Sequence, residues 1–194
     1  MALQTLFSYI NNYVSLTSEE EQLIAEHVTV RKYLKGQFIV QQGDICQYSS
    51  FIIKGCSKMY FVDALGQEHI IILAVEGWWV SDIASFINQK PADFNIQCLE
   101  DTELVQFHYN TIENLYDAIP KLDKFFRKIL ERGLAASQQR IVRNFSMTAK
   151  ERYLYFKNTY PEIETRIPQY LVASYLGITK EFLSKIKRQL AYER

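Results

Sequence analysis

Between Ile167 and Arg188 the chain reads IPQYLVASYLGITKEFLSKIKR, the stretch with the most informative spacing in the sequence. With Gln169 as the first position of a twenty-residue helix-turn-helix frame, Ala173 falls at the fifth position, Gly177 at the ninth and Leu183 at the fifteenth. Each type has a physical reason there. The alanine is small because the second helix crosses close to it. The glycine suits a tight turn that requires a positive φ. Val172, Leu176, Ile178, Leu183 and Ile186 fill the apolar positions between the two helices. Thr179 is the expected N-cap of the second helix, with Lys180 and Glu181 in its first turn. The outward face would carry Thr179, Lys180, Glu181, Ser184, Lys185 and Arg188. Lysine donates to guanine O6 and N7, and glutamate accepts from cytosine N4. Lysine and arginine farther along such a helix reach phosphates. The implied chemistry is recognition of duplex DNA. A packed helical hairpin with a solvated basic face has the same pattern.

Other elements must position that helix pair. Residues 1–30 read as helical, with Ser18 as a cap, Glu19-Glu20-Glu21 in the first turn, and Leu23, Ile24 and Val28 on one stripe. From Tyr33 to about Tyr109 short apolar runs end at glycine-marked turns, such as Gln42-Gly43-Asp44, Lys54-Gly55 and Asp63-Ala64-Leu65-Gly66. Short strands at this spacing predict a mostly antiparallel β sandwich or barrel, because the joins are too short for crossovers. From Thr111 onward the pattern is helical. Pro120 is well placed near a helix start. Beyond it Phe126, Leu130, Leu134, Ser137, Ile141 and Phe145 recur every three or four residues, on one stripe of a helix of about 25 residues. Gly133, Ala135 and Ala136 would let a second helix approach. The stripe suits pairing with a second copy, partial packing on the β domain, or both. Pro161 should end the next helix, leaving Glu162–Arg166 as a polar link.

The 194 residues carry 22 basic and 22 acidic side chains, a formal net charge of zero. That zero hides a division. Residues 1–120 hold six basic and fifteen acidic side chains, and residues 121–194 hold sixteen and seven. An acidic body therefore joins a basic C-terminal part, which points to an acidic partner for the latter. The longest unbroken apolar run, Ile70–Val75, is far short of a membrane span. No secretory signal is evident at Met1–Thr5. Cys46, Cys56 and Cys98 form no metal-binding spacing, so no metal and no cofactor are expected, and a reducing cytoplasm suits them. There is no nucleophile elbow, no phosphate loop and no zinc-protease helix, which argues against an enzyme.

The order of β domain, long helix and helix-turn-helix resembles the Crp/Fnr family of bacterial transcription regulators, from about residue 15 to the C-terminus. Lys35-Gly36-Gln37-Phe38-Ile39-Val40-Gln41-Gln42-Gly43-Asp44 is similar to a β-turn segment of the family, and Phe51-Ile52-Ile53-Lys54-Gly55 to one of its strand ends. Gly177–Arg188 resembles its recognition helix, and the short C-terminus is similar to compact Bacteroidetes-type members. The resemblance implies an α+β fold: a jelly-roll, cyclic-nucleotide-binding-like effector domain over 1–118, a dimerisation helix over 119–146, and a helix-turn-helix domain over 147–194. It further implies a homodimer on a palindromic operator, an unidentified small-molecule effector, and RNA polymerase as a further partner. Lys180, Glu181 and Lys185 stand where the family has base-reading Arg, Glu and Arg.

Departures from the family pattern are informative. Members that bind cyclic AMP carry Gly-Glu-Leu for the ribose and an Arg-Ser or Arg-Thr pair for the phosphate. The matching segment here is Gly77-Trp78-Trp79-Val80-Ser81-Asp82, and the arginine step falls near Lys90-Pro91-Ala92-Asp93. Without a fixed bidentate cation the phosphate loses its main charge-assisted contact, so no cyclic-nucleotide binding at micromolar levels is expected. Trp78, Trp79, Ser81, Asp82 and Lys90 remain the candidate effector-pocket residues. Three scattered cysteines do not suit a four-cysteine iron–sulfur sensor, and His27, His69 and His108 show no haem context. After Arg188 only Gln189–Arg194 remain, too few for the family's winged hairpin. DNA contact would then also draw on Arg140, Arg143, Lys150 and Arg152. The alternative reading is a signalling module that binds a small ligand or protein and uses its helical C-terminus for docking.

Overall fold

A computed structural model describes residues 1–192; Glu193 and Arg194, the end of the segment weighed for a wing, lie outside the described residues. The chain opens with helices α1 (Ala2–Asn11) and α2 (Ser18–His27). Thr17, not Ser18, caps α2. Its hydroxyl accepts from the Glu20 N–H while the Glu20 carboxylate accepts from the Thr17 N–H, a reciprocal capping box. The helical stripe expected to include Val28 stops short, because Val28 opens strand β1 (Val28–Tyr33). All six residues of β1 pair with strand β8 (Thr102–His108), so tertiary pairing overrides the local helical pattern.

Between them run β2 (Phe38–Val40), β3 (Tyr48–Lys54), β4 (Ser57–Val62), β5 (Glu68–Ala74), β6 (Trp79–Val80), a short helix α3 (Ile83–Asn88) and β7 (Asn95–Cys98). They form two four-stranded antiparallel sheets, ordered β1-β8-β3-β6 and β2-β7-β4-β5. This is the expected antiparallel β domain. One glycine is fixed by close approach. Gly55 has φ +108°, and a Cβ there would lie 2.4 Å from Thr102 Oγ1 and 2.7 Å from Thr102 Cα.

Helix α4 (Tyr109–Ala118) leads into α5 (Pro120–Ser146), with Pro120 in its first turn. At 27 residues α5 is about 40 Å long. Its first turns belong to the β domain: Leu122, Phe125 and Phe126 are buried. Phe126 makes edge contacts with Trp79, Phe107 and Tyr116, so it drops out of the free stripe to which its spacing assigned it. From Leu130 onward the apolar side chains are exposed, Leu134 at 62%, Ile141 at 56% and Phe145 at 88%.

The C-terminal helices are α6 (Ala149–Thr159), α7 (Pro161–Arg166), α8 (Gln169–Tyr175) and α9 (Lys180–Tyr192). The stretch expected to be a polar link is a short helix, α7. Pro161 starts it rather than ending a helix, since its fixed φ suits a first turn. Two apolar cores result. One fills the β domain with α1, α2, α4 and the start of α5. The other joins Tyr153, Phe156, Ile163, Leu171, Val172, Leu183 and Ile186 to Cys56, Tyr60, Ile70, Leu73 and Val75 of the β domain. None of the described helices is long and apolar enough to cross a membrane.

Candidate nucleic-acid interface

Helices α8 and α9 form the turn that the sequence spacing requires. Ala173 is buried. Gly177 has φ +68°. The Gly177 N–H donates to Ser174 O and the Ile178 N–H to Ala173 O, both at 3.0 Å, closing the end of α8. Thr179 Oγ1 accepts from the Phe182 N–H at 3.2 Å and so caps α9. Leu171, Val172, Leu176, Leu183 and Ile186 are buried between the pair and α6–α7, while Ile178 is half-buried. The apolar frame thus fixes which face of α9 looks outward.

Thr179, Lys180, Glu181, Lys185 and Arg188 are exposed, and Ser184 is half-buried. Steps of one, four, five and eight residues from Lys180 keep the helical members within one face. Lys180, Glu181, Lys185 and Arg188 make no ion pair among the described residues, so their charges face solvent. Ser184 differs: its hydroxyl donates to Lys180 O at 3.0 Å, a bond inside the helix. Lys187 turns away and pairs with Glu164 at 2.8 Å.

The basic residues before α9 do not form a free surface. Arg140 donates to the carbonyls of Ile71, Ile70 and Tyr175, and its guanidinium lies 4.1 Å from the Tyr175 ring centroid. It is a cross-link between α5, β5 and α8 rather than a DNA contact. Arg143 stacks over Tyr155 at 4.1 Å, and Arg152 Nη1 donates to Met147 O at 2.8 Å. Lys150 is half-buried, and it is itself engaged in an interaction.

The candidate effector residues do not gather at one cavity. Asp82 is 1% exposed and caps α3. Its carboxylate accepts from the N–H groups of Ser85, Asp93 and Phe94 at 3.0, 2.9 and 3.2 Å. Those bonds fold the 82–94 loop and occupy the carboxylate that a ribose would need. Trp79 packs among Phe51, Phe107, Phe125 and Phe126 in the aromatic core. Trp78 points elsewhere, edge-on to Tyr160 of the C-terminal helices at 5.7 Å. Ser81 is half-buried, and Lys90 is exposed, its carbonyl accepting from the Ser85 hydroxyl.

Sequence reasoning missed the contact that docks the helical module on the β domain. Arg166 closing α7 donates to Glu76 through Nη1 (2.7 Å) and Nη2 (3.0 Å), and to Glu100 through Nε (3.1 Å) and Nη2 (2.8 Å). Burial pushes the Glu76 carboxyl up, but hydrogen bonds from Arg166 and the Gly55 N–H outweigh it and bring it down to about 2. Ser174 completes the seam: its hydroxyl donates to Glu68 O and accepts from the Ile70 N–H on the edge strand β5. The partners lie 66 to 106 residues apart in sequence, beyond any local spacing rule. Burial pushes the nearby Cys56 thiol up to about 12, as expected of an inert packing residue.

No group of three or more His, Cys, Asp or Glu among the described residues is arranged to hold a metal. The model of the cyclic nucleotide-binding domain matches residues 30–118. The transcriptional activator protein Anr of Pseudomonas aeruginosa is 24% identical over 144 residues, 74% of this chain and 58% of the relative. The fumarate and nitrate reduction regulatory protein of Vibrio cholerae is 24% identical over 163 residues, 78% of this chain and 64% of the relative. The chain thus spans roughly three fifths of the length of these curated relatives. The solved structure of FixK2 from Bradyrhizobium japonicum shares the fold, with a TM-score of 0.74 at 16% identity, covering 86% of this chain and 85% of that one. By name one relative is a transcriptional activator and the other a regulatory protein. The β domain thus matches the cyclic nucleotide-binding domain in sequence over residues 30–118, and the chain as a whole is similar to the regulators named above, in sequence to Anr and in fold to FixK2.

Proposed function

We propose that the protein is a homodimeric, sequence-specific DNA-binding regulator whose α9 reads the major groove of a palindromic operator. The observation that carries this reading is the outward face of α9. Lys180, Glu181, Lys185 and Arg188 are exposed without ion-pair partners among the described residues, on a helix whose N-cap is Thr179. Charges left unpaired on a rigid, capped helix suit base edges and phosphates. In this reading residues 1–118 form the effector domain, 119–146 the dimer helix and 147–194 the DNA-reading module. The exposed stripe Leu130, Leu134, Ile141 and Phe145 would pair with its copy in a second chain. An effector other than a cyclic nucleotide would act on the β domain, and RNA polymerase would be the downstream partner. Such a role belongs in the cytoplasm.

The test is a duplex-binding titration across salt concentrations. Affinity should fall steeply with salt as bound phosphates release counterions, with a log–log slope near −0.9 for each phosphate neutralised. Lys185→Ala should weaken binding and flatten that slope. Duplex binding that is absent, or indifferent to salt and to Lys185→Ala, would favour the helical C-terminus as a protein-docking surface.

A further inference from the structure

A shallow cleft open to solvent lies between the end of α5, helix α6 and the end of α8. Arg140, Arg143 and Arg152 line it together with Asn144, Tyr155 and Tyr160, and its lining holds no carboxylate. Three guanidinium groups gathered in a part-buried cleft without a counter-charge is an unbalanced arrangement. The three differ in what they have left to give. Arg140 is fixed by its three carbonyl acceptors and supplies charge rather than free donors. Arg143 is oriented by the Tyr155 ring, and no hydrogen bond among the described residues engages its donors. Arg152 spends Nη1 on Met147 O, while its buried Nε has no partner. A buried charged donor without an acceptor is costly, and a water or an anion is among the partners that would satisfy it.

We propose that this cleft binds a phosphoryl group carried by a small molecule, held by Arg143 and Arg152 with Asn144 at the rim and Arg140 behind. Arginine forks match the geometry of phosphate oxygens, and a tetrahedral oxyanion offers enough acceptors for both. A duplex backbone phosphate has the same chemistry. The concave site walled by tyrosines, with Arg140 turned inward onto β5, fits a small molecule better than the convex backbone of a duplex. Arg143 is on α5 and Arg152 on α6, on either side of the Met147 joint. An occupied cleft would therefore tie α6 and the helices beyond it to α5. The proposal goes beyond DNA reading and does not depend on it.

The full chain is titrated with inorganic pyrophosphate by calorimetry, with melting followed in parallel. Saturable binding and a rise in Tm on addition are expected. Arg143→Gln and Arg152→Gln should each weaken binding at least tenfold. Arg143→Lys, which keeps the charge and loses the fork, should fall between. Lys185→Ala should bind pyrophosphate as the parent does. Circular dichroism of each variant separates lost binding from lost folding. Absence of saturable binding, or equal binding by folded glutamine variants, would overturn the site. If those variants lose duplex affinity while pyrophosphate binding is untouched, the arginines serve DNA and the small-molecule site is wrong.

Discussion

Arg166 Nη1 lies 2.7 Å from Glu76 Oε2, and Nη2 of the same guanidinium reaches the other oxygen at 3.0 Å. One fork thus bridges the helical module and the turn after β5. The geometry is bidentate, but the Glu76 side chain is 39% exposed, so screening limits its worth. Arg166→Ala should destabilise the docked module by ~1–2 kcal/mol, the range for a charge-assisted pair reduced for exposure. Calorimetric melting should then show a lower Tm or a separate, earlier transition of the C-terminal helices.

The same pair sets a pH dependence. The Glu76 carboxyl falls from its ordinary 4.5 to about 2 in the folded chain. A depressed folded value means its contribution is present above about pH 4.5 and is lost as pH falls toward 2. Melting curves of the parent should therefore lose stability over that window, and Arg166→Ala should lose less. Equal acid sensitivity in both would remove Glu76 from the account.

Asp82 offers a prediction that separates loop folding from effector binding. Its carboxylate holds three backbone N–H groups from a buried position. Asp82→Asn keeps the shape, yet one side of the amide cannot accept, so the loop should be destabilised by ~1–3 kcal/mol. Denaturant unfolding reads this loss in the absence of any ligand. Calorimetry with cyclic AMP or cyclic GMP should show no micromolar binding to the parent. Tight binding would mean that the loop around Asp82 opens and that the missing arginine is replaced.

The exposed half of α5 carries the oligomeric claim. Leu134→Glu and Ile141→Glu replace side chains that are 62% and 56% exposed in the single chain, so folding should survive. Light scattering with size exclusion should report a dimer for the parent and a monomer for the double variant. A monomeric parent at micromolar concentration would leave the stripe unexplained.

Much of this was legible in residue types. The Ala173–Gly177–Leu183 spacing located the α8–α9 turn, because small, left-handed and apolar requirements act within a few residues of one another. The glycine-marked short runs located the β domain for the same reason. The spacing of Phe126 matched the α5 stripe, yet the aromatic core of the β domain took it, since periodicity cannot say which neighbour a helix face meets. Asp82 read as a ligand-binding carboxylate and is a loop anchor, because its three N–H partners come from a turn geometry that no local motif announces. Arg140 read as a DNA contact, and its acceptors on β5 and α8 are backbone carbonyls, invisible to any pattern of side chains. Arg166 went unnoticed because both of its carboxylates lie more than 60 residues away.

The central claim is that two copies of α9 read one duplex. Selection of random duplexes by the purified full chain, with Glu181→Ala and Lys185→Ala in parallel, tests it most directly. The account predicts enrichment of an inverted repeat whose half-site centres lie about one helical turn, roughly 34 Å, apart. Glu181→Ala should relax the preference at one base pair per half-site, and Lys185→Ala should reduce recovery. No enriched motif, or a motif unchanged by both substitutions, would contradict it.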